Sequence, residues 1–116
     1  MTDYFQGRIF IQQTPAVIAS SATTSGNVAT NGGGLVGLIM PAAFTGTTMT
    51  FNGSDDGTNF YALYNTSGTQ LSITVSTNRL ILFTPGDLVG PQYLQLVSGS
   101  TEGGARTIQC IGRSFV

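Results

Sequence analysis

The chain offers few residue types for chemistry. It has no histidine, and its only cations are Arg8, Arg79, Arg106 and Arg113. Without histidine or lysine, the commonest general bases and the Schiff-base amine are missing. What stands out is a pair of adjacent carboxylates, Asp55 and Asp56, opening the stretch SDDGTNFYALYNTSGTQLSI at residues 54–73. Calcium is one use for them, since Asn52, Ser54 and Asp56 followed by Gly57 have the oxygen spacing that begins an EF-hand loop. However, Leu63 stands where that loop needs its bidentate glutamate, and a hard cation wants six or more oxygens. Glycoside cleavage is another, but it needs two carboxylates about 5–10 Å apart across a bond, one of them desolvated. Neighbours in a polar turn provide neither.

The third reading is structural. Aspartate caps the amides of its own turn, and Gly57 supplies a positive φ without steric cost. Asp-Gly between apolar runs is a strong hairpin signal. Ser54, Asp55, Asp56 and Gly57 are therefore expected to form a structural corner, with Phe60 returning to the core. No catalytic residue, metal site or cofactor is expected. The lone Cys110 lies in RTIQCIGR, an apolar-centred strand. With no cationic neighbour to activate it, it reads as a buried structural thiol.

The elements that would position these residues are short strands. Runs at 35–40, 47–52, 60–64, 69–76, 79–84, 93–98 and 106–112 are β-prone and separated by turn residues, the pattern of a sandwich or barrel. In 69–76, Leu71, Ile73 and Val75 alternate with polar residues, as Met49 and Phe51 do in 47–52. The expectation is all-β: a single antiparallel sandwich, jelly-roll-like, of about eight strands. Residues 20–34, SSATTSGNVATNGGG, read as a flexible connector, so residues 1–34 are expected to form an extended arm and 35–116 the body. A chain of 116 residues makes one such domain.

Charge is the other constraint. Only 8% of residues are charged, against about a quarter in ordinary globular proteins. A surface of this kind does little to repel copies of itself. Nucleic acid is a poor partner, because counterion release needs clustered Lys or Arg. No run approaches 18 uninterrupted apolar residues, so no helical membrane span is expected. The N-terminal stretch, with an acid and no basic region, does not read as a secretory signal. The sequons at Asn52 and Asn65 are accordingly read as chance. LVGLIM and LILF look apolar on both faces. Unless both strands are simply central and covered by loops, they need a second cover from the arm or, as the low charge favours, from a neighbouring subunit. Leu35, Val36, Leu38, Ile39, Leu80, Ile81, Leu82 and Phe83 are therefore expected at a subunit interface. From the arm, Arg8, Ile9, Phe10, Ile11, Val17 and Ile18 are expected to contact a neighbour or a lattice.

Ser54, Asp56, Gly57 and Phe60 form a Ser-x-Asp-Gly-x-x-Phe pattern that resembles the hairpin of discoidin-type, galactose-binding-like sandwiches. Residues 38–99, chiefly MPAAFTG at 40–46 and YLQL at 93–96, resemble small structural proteins of tailed-bacteriophage virions, capsid decoration (cement) proteins among them. That resemblance implies a homotrimer on the head surface that binds the major capsid protein, made in the host bacterial cytoplasm. The alternative with the same fold is a carbohydrate-binding module or receptor-binding fibre component. It is disfavoured by the absence of Trp and by Tyr61, Tyr64 and Tyr93 reading as strand-face residues. A glycan is thus the less favoured partner.

Overall fold

The computed structural model describes residues 10–12, 15–30, 33–84 and 86–114. Their regular structure is entirely β, and every strand pairing is antiparallel. The strands are β1 (Phe10–Gln12), β2 (Ala16–Ile18), β3 (Val28–Ala29), β4 (Gly33–Ile39), β5 (Thr48–Ser54), β6 (Tyr61–Ala62), β7 (Ser72–Thr74), β8 (Leu80–Leu82), β9 (Tyr93–Ser98) and β10 (Arg106–Ser114). One sheet runs from β10 through β4 to β8, with β1 and β2 following one another along the far edge of β10. The other runs β3, β9, β5, with β6 and β7 sharing the last edge. From β2 onward the chain crosses between sheets at almost every connection, which is the winding of a jelly roll. Among the described residues there are ten strands rather than about eight, because two edges are each built from two short pieces.

Side chains alternate across each strand, and the two inner faces meet as one core. Met49 and Phe51 from β5 and Leu94 and Leu96 from β9 face Leu35, Leu38, Ile108 and Cys110 from the opposing sheet. Phe83 packs edge-on against Phe51, with ring centroids 5.6 Å apart. LVGLIM breaks the alternation for a physical reason. The register of β4 against β10 shifts between Ile111 and Gly112, whose partners are Gly37 and Leu35. The bulge absorbs Val36 and turns Leu35 and Leu38 to the same side. Leu35 and Leu38, expected at a subunit interface, are instead buried in the chain's own core. Ile81 and Phe83 also pack inward.

The expected division at residue 34 is not seen. Ile18 and Val28 have no exposed surface and Ala16 almost none, and β2 and β3 are integral strands of the two sheets. Ile18 therefore cannot contact a neighbour while the fold is intact. The polar segment between β2 and β3 is stitched down by its backbone: Ser25 N–H donates to Leu96 O at 2.9 Å, and Thr23 O accepts from Ser98 N–H at 2.8 Å. Leu96 N–H also donates to the Ser25 hydroxyl at 2.9 Å. Small polar residues here are ladder partners, not a tether. Deleting residues 1–34 is accordingly expected to abolish cooperative folding, since losing even one buried isoleucine costs about 2–5 kcal/mol. Circular dichroism and a thermal melt of 35–116 check this; a cooperative melt would restore the arm.

Candidate functional site

The Asp55–Asp56 corner closes the connection between β5 and β6. Ser54 Oγ–H donates to Asp56 Oδ1 at 2.9 Å, while Ser54 Oγ accepts from the Asp56 and Gly57 amides at 3.2 and 2.9 Å. Asp56 Oδ1 also accepts from Thr58 N–H and Asn59 N–H at 2.8 and 2.9 Å, and Oδ2 from Asn59 Nδ2–H at 2.8 Å. The Asn59 and Thr58 amides hold this carboxyl well below the usual carboxylate range. Asp56 is thus spent on the turn it closes. Gly57 has φ +79°, and a Cβ there would lie 3.3 Å from the Tyr93 ring. Phe60 is only half-buried; Leu63 is the residue from this stretch that packs against the core.

A second carboxylate, not singled out by its sequence context, accepts as many hydrogen bonds as Asp56 does. Glu102 is completely buried. Its Oε1 accepts from Thr45 N–H at 2.8 Å and Arg106 Nε–H at 2.9 Å; its Oε2 accepts from Gly46 N–H at 3.0 Å and Ser98 Oγ–H at 2.7 Å. Its backbone pairs with the β2–β3 loop, Ser21 N–H donating to Glu102 O and Glu102 N–H to Ala22 O. Burial pushes the pKa up, but the hydrogen bonds from Thr45, Arg106, Ser98 and Gly46 outweigh it and bring the pKa to about 2. The only sequence signal was an acid four residues before an arginine in a strand-rich region, a spacing usually read for helices. Cys110 is buried, and burial raises its thiol to about 11, which leaves it un-ionised and inert as a nucleophile at neutral pH.

The expected interface residues separate by face. Ile39, Leu80 and Leu82 lie on the outer side of the β4–β8 sheet and are 46%, 55% and 69% exposed; Val36 is half-buried. Leu80 sits opposite Ile39 in register. A Cβ at Gly37 would meet Leu82 Cδ2 at 3.1 Å and Ile111 Cδ1 at 3.6 Å, so those two side chains close over the glycine. Val17 is exposed on the same sheet. Phe10 and Ile11 pair with Arg113 and Gly112 through their backbones, while Arg8 and Ile9 lie outside the described residues. Tyr61 and Tyr64, expected as strand-face residues, are strongly exposed: Tyr61 lies on β6, a two-residue edge piece, and Tyr64 in an isolated bridge to Gln70. Tyr93 is half-buried. Among the described residues no cluster of three or more His, Cys, Asp or Glu is placed to hold a metal ion.

No protein-family model, curated protein or solved structure matches this chain significantly.

Two outcomes follow from the carboxylates. Gly57→Ala is expected to destabilise the fold by about 1 kcal/mol or more, because a Cβ is disfavoured at positive φ; an unchanged denaturant midpoint would contradict the corner geometry. For Glu102 the folded pKa lies below the ordinary value of 4.5, so its stabilisation is present above 4.5 and is lost as pH falls toward about 2. Glu102→Gln should be less stable than wild type at neutral pH, and the difference in Tm should shrink across that window. A difference independent of pH would show that the charge plays no part.

Proposed function

We propose that this chain is a bacteriophage virion structural protein, a capsid decoration protein that trimerises on the head surface and ties neighbouring copies of the major capsid protein together. The observation that carries this reading is the uncharged apolar strip of Ile39, Leu80, Leu82 and Ile111 on the outer face of one sheet. It runs up to β8, where the sheet ends. An edge strand presents unpaired backbone groups to any partner; β8 is short, which blunts an edge, but it lacks the charge that also does so. Here the residues between Arg79 and Asp87 carry none.

Further support comes from the low overall charge and from the resemblance of residues 38–99 to small tailed-phage virion proteins. Jelly rolls recur in both capsid and lectin domains, so the winding agrees with this role without selecting it. A cyclic trimer uses a head-to-tail contact that closes on itself. The strip on one copy would meet a different surface on the next.

The purified protein should sediment as a discrete oligomer at micromolar concentration and bind heads that lack it. Leu82→Asp, at a position exposed in the single chain, should preserve the fold yet dissociate the oligomer, since a carboxylate buried unpaired in an apolar contact costs several kcal/mol. A wild-type protein that is monomeric and fails to bind heads would rule the reading out.

A further inference from the structure

The sheet that holds β4 and β10 has two open ends, and its ladder shows which backbone groups stand free at each. At β8, Arg79 O accepts from Met40 N–H at 2.8 Å and Phe83 N–H donates to Val36 O at 3.0 Å. Backbone groups alternate in direction along an antiparallel strand, so Arg79, Ile81 and Phe83 bond to β4. Leu80 and Leu82 therefore turn their N–H and C=O groups away from it, toward the open edge. No strand lies beyond β8 among the described residues. Val89, bridged to Gly34 of β4 and itself exposed, continues this apolar margin past the end of β8.

The same alternation carries across the sheet. Opposite Leu82 and Leu80 stand Gly37 and Ile39, whose backbone groups turn the other way and meet Ile111 and Gln109 of β10. The bulge lies in β4, so β10 keeps its alternation and Gly112 bonds to Ile11. Phe10 and Gln12 are left with their N–H and C=O groups on the open side of β1. The β2 part of that edge is closed, because Gly26 N–H donates to Val17 O at 3.2 Å.

We infer, building on the assembling role proposed above, that β8 of one copy adds to β1 of the next, with Leu82 paired to Phe10 and Leu80 to Gln12. Each edge offers a pair of outward residues at alternate positions, so this register leaves none of those groups unmatched. Direction fits as well. The path β1-β10-β4-β8 is antiparallel at every step, so β8 runs opposite to β1. Joining the two antiparallel keeps every copy pointing the same way, as a cyclic ring requires. Pairing β8 with β8 would instead close a twofold dimer and leave β1 bare. Neither Phe10–Gln12 nor Leu80–Leu82 carries a charge, so backbone hydrogen bonds can join the edges without repulsion.

The test is disulfide trapping in the full chain. Within one copy β1 and β8 lie three strand spacings apart, roughly 14 Å, and a disulfide bridges Cα atoms no more than ~7 Å apart. A link between positions 10 and 82 can therefore form only between copies. Equal amounts of Phe10→Cys and Leu82→Cys are mixed and oxidised, and the joined peptides are identified by mass spectrometry. The 10–82 link should outnumber 10–10 and 82–82. In the unmodified chain, NMR hydrogen exchange at Leu80 and Leu82 should slow at least tenfold on going from dilute monomer to oligomer, while the Phe83 amide, bonded to β4, is slow in both. An oligomer that gives only 82–82 links, or leaves the Leu80 and Leu82 amides as fast as in the monomer, overturns the edge pairing while the assembling role stands. A 10–82 link in a protein that fails to bind heads supports the pairing and removes the capsid role. A chain that stays monomeric at tens of micromolar overturns the pairing outright.

Discussion

A buried carboxylate holds together the end of the sandwich where the chain crosses most often between sheets. Glu102 sits in the β9–β10 loop and receives donors from the β4–β5 loop, from the end of β9 and from the start of β10, while its backbone binds the β2–β3 loop. A jelly roll must bring these crossing loops to one end, where their amides lose water without gaining a ladder partner. Unpaired buried amides are costly. One acceptor-only side chain answers several of them together, and Arg106 compensates its charge from a position 17% exposed to solvent. Breaking such a buried pair by removing one partner costs about 3–5 kcal/mol, so a chain this poor in charge has placed an ion pair at the point where its loops converge.

The strands were legible in the sequence because period-2 alternation survives wherever pairing is regular. Met49 and Phe51 in β5, and Leu94 and Leu96 in β9, point where their pattern says they should. LVGLIM failed for a definite reason. A bulge changes the parity of a strand without leaving a mark in composition, so two leucines three apart share a face. A second cover for those leucines is not required, and what remains for a partner is the smaller set of Ile39, Leu80 and Leu82.

The N-terminal third shows the opposite error. Small polar residues suggest flexibility, but β-pairing uses the backbone, and Ser, Thr and Gly present it as well as any residue when a neighbouring strand is at hand. Ser25 does more than that, since its hydroxyl also accepts an amide of β9. Glu102 is hard to find because, although Ser98 and Arg106 are only four residues away, its two amide donors Thr45 and Gly46 come from a loop 57 and 56 residues distant. Local sequence shows the nearby arginine but holds no trace of the distant loop. The Asp56 turn, whose bonds all fall within three residues, was legible for the same reason in reverse.

The two ends of the sandwich are therefore built differently. At one end three crossing loops close on Glu102 and leave no polar group of that side chain to a ligand. At the other, Asp56 spends its carboxylate on a single turn, which fixes Asn59 and leaves Asp55 and Tyr61 facing solvent. A surface loop rigidified by its own hydrogen bonds can present side chains for recognition without depending on the core for their positions. The apolar strip on the β4–β8 sheet is presented by strands instead, so its shape is tied to the core behind it. The proposed assembling strip and the SDDG corner thus lie on different parts of the fold, so a substitution at one leaves the geometry of the other in place.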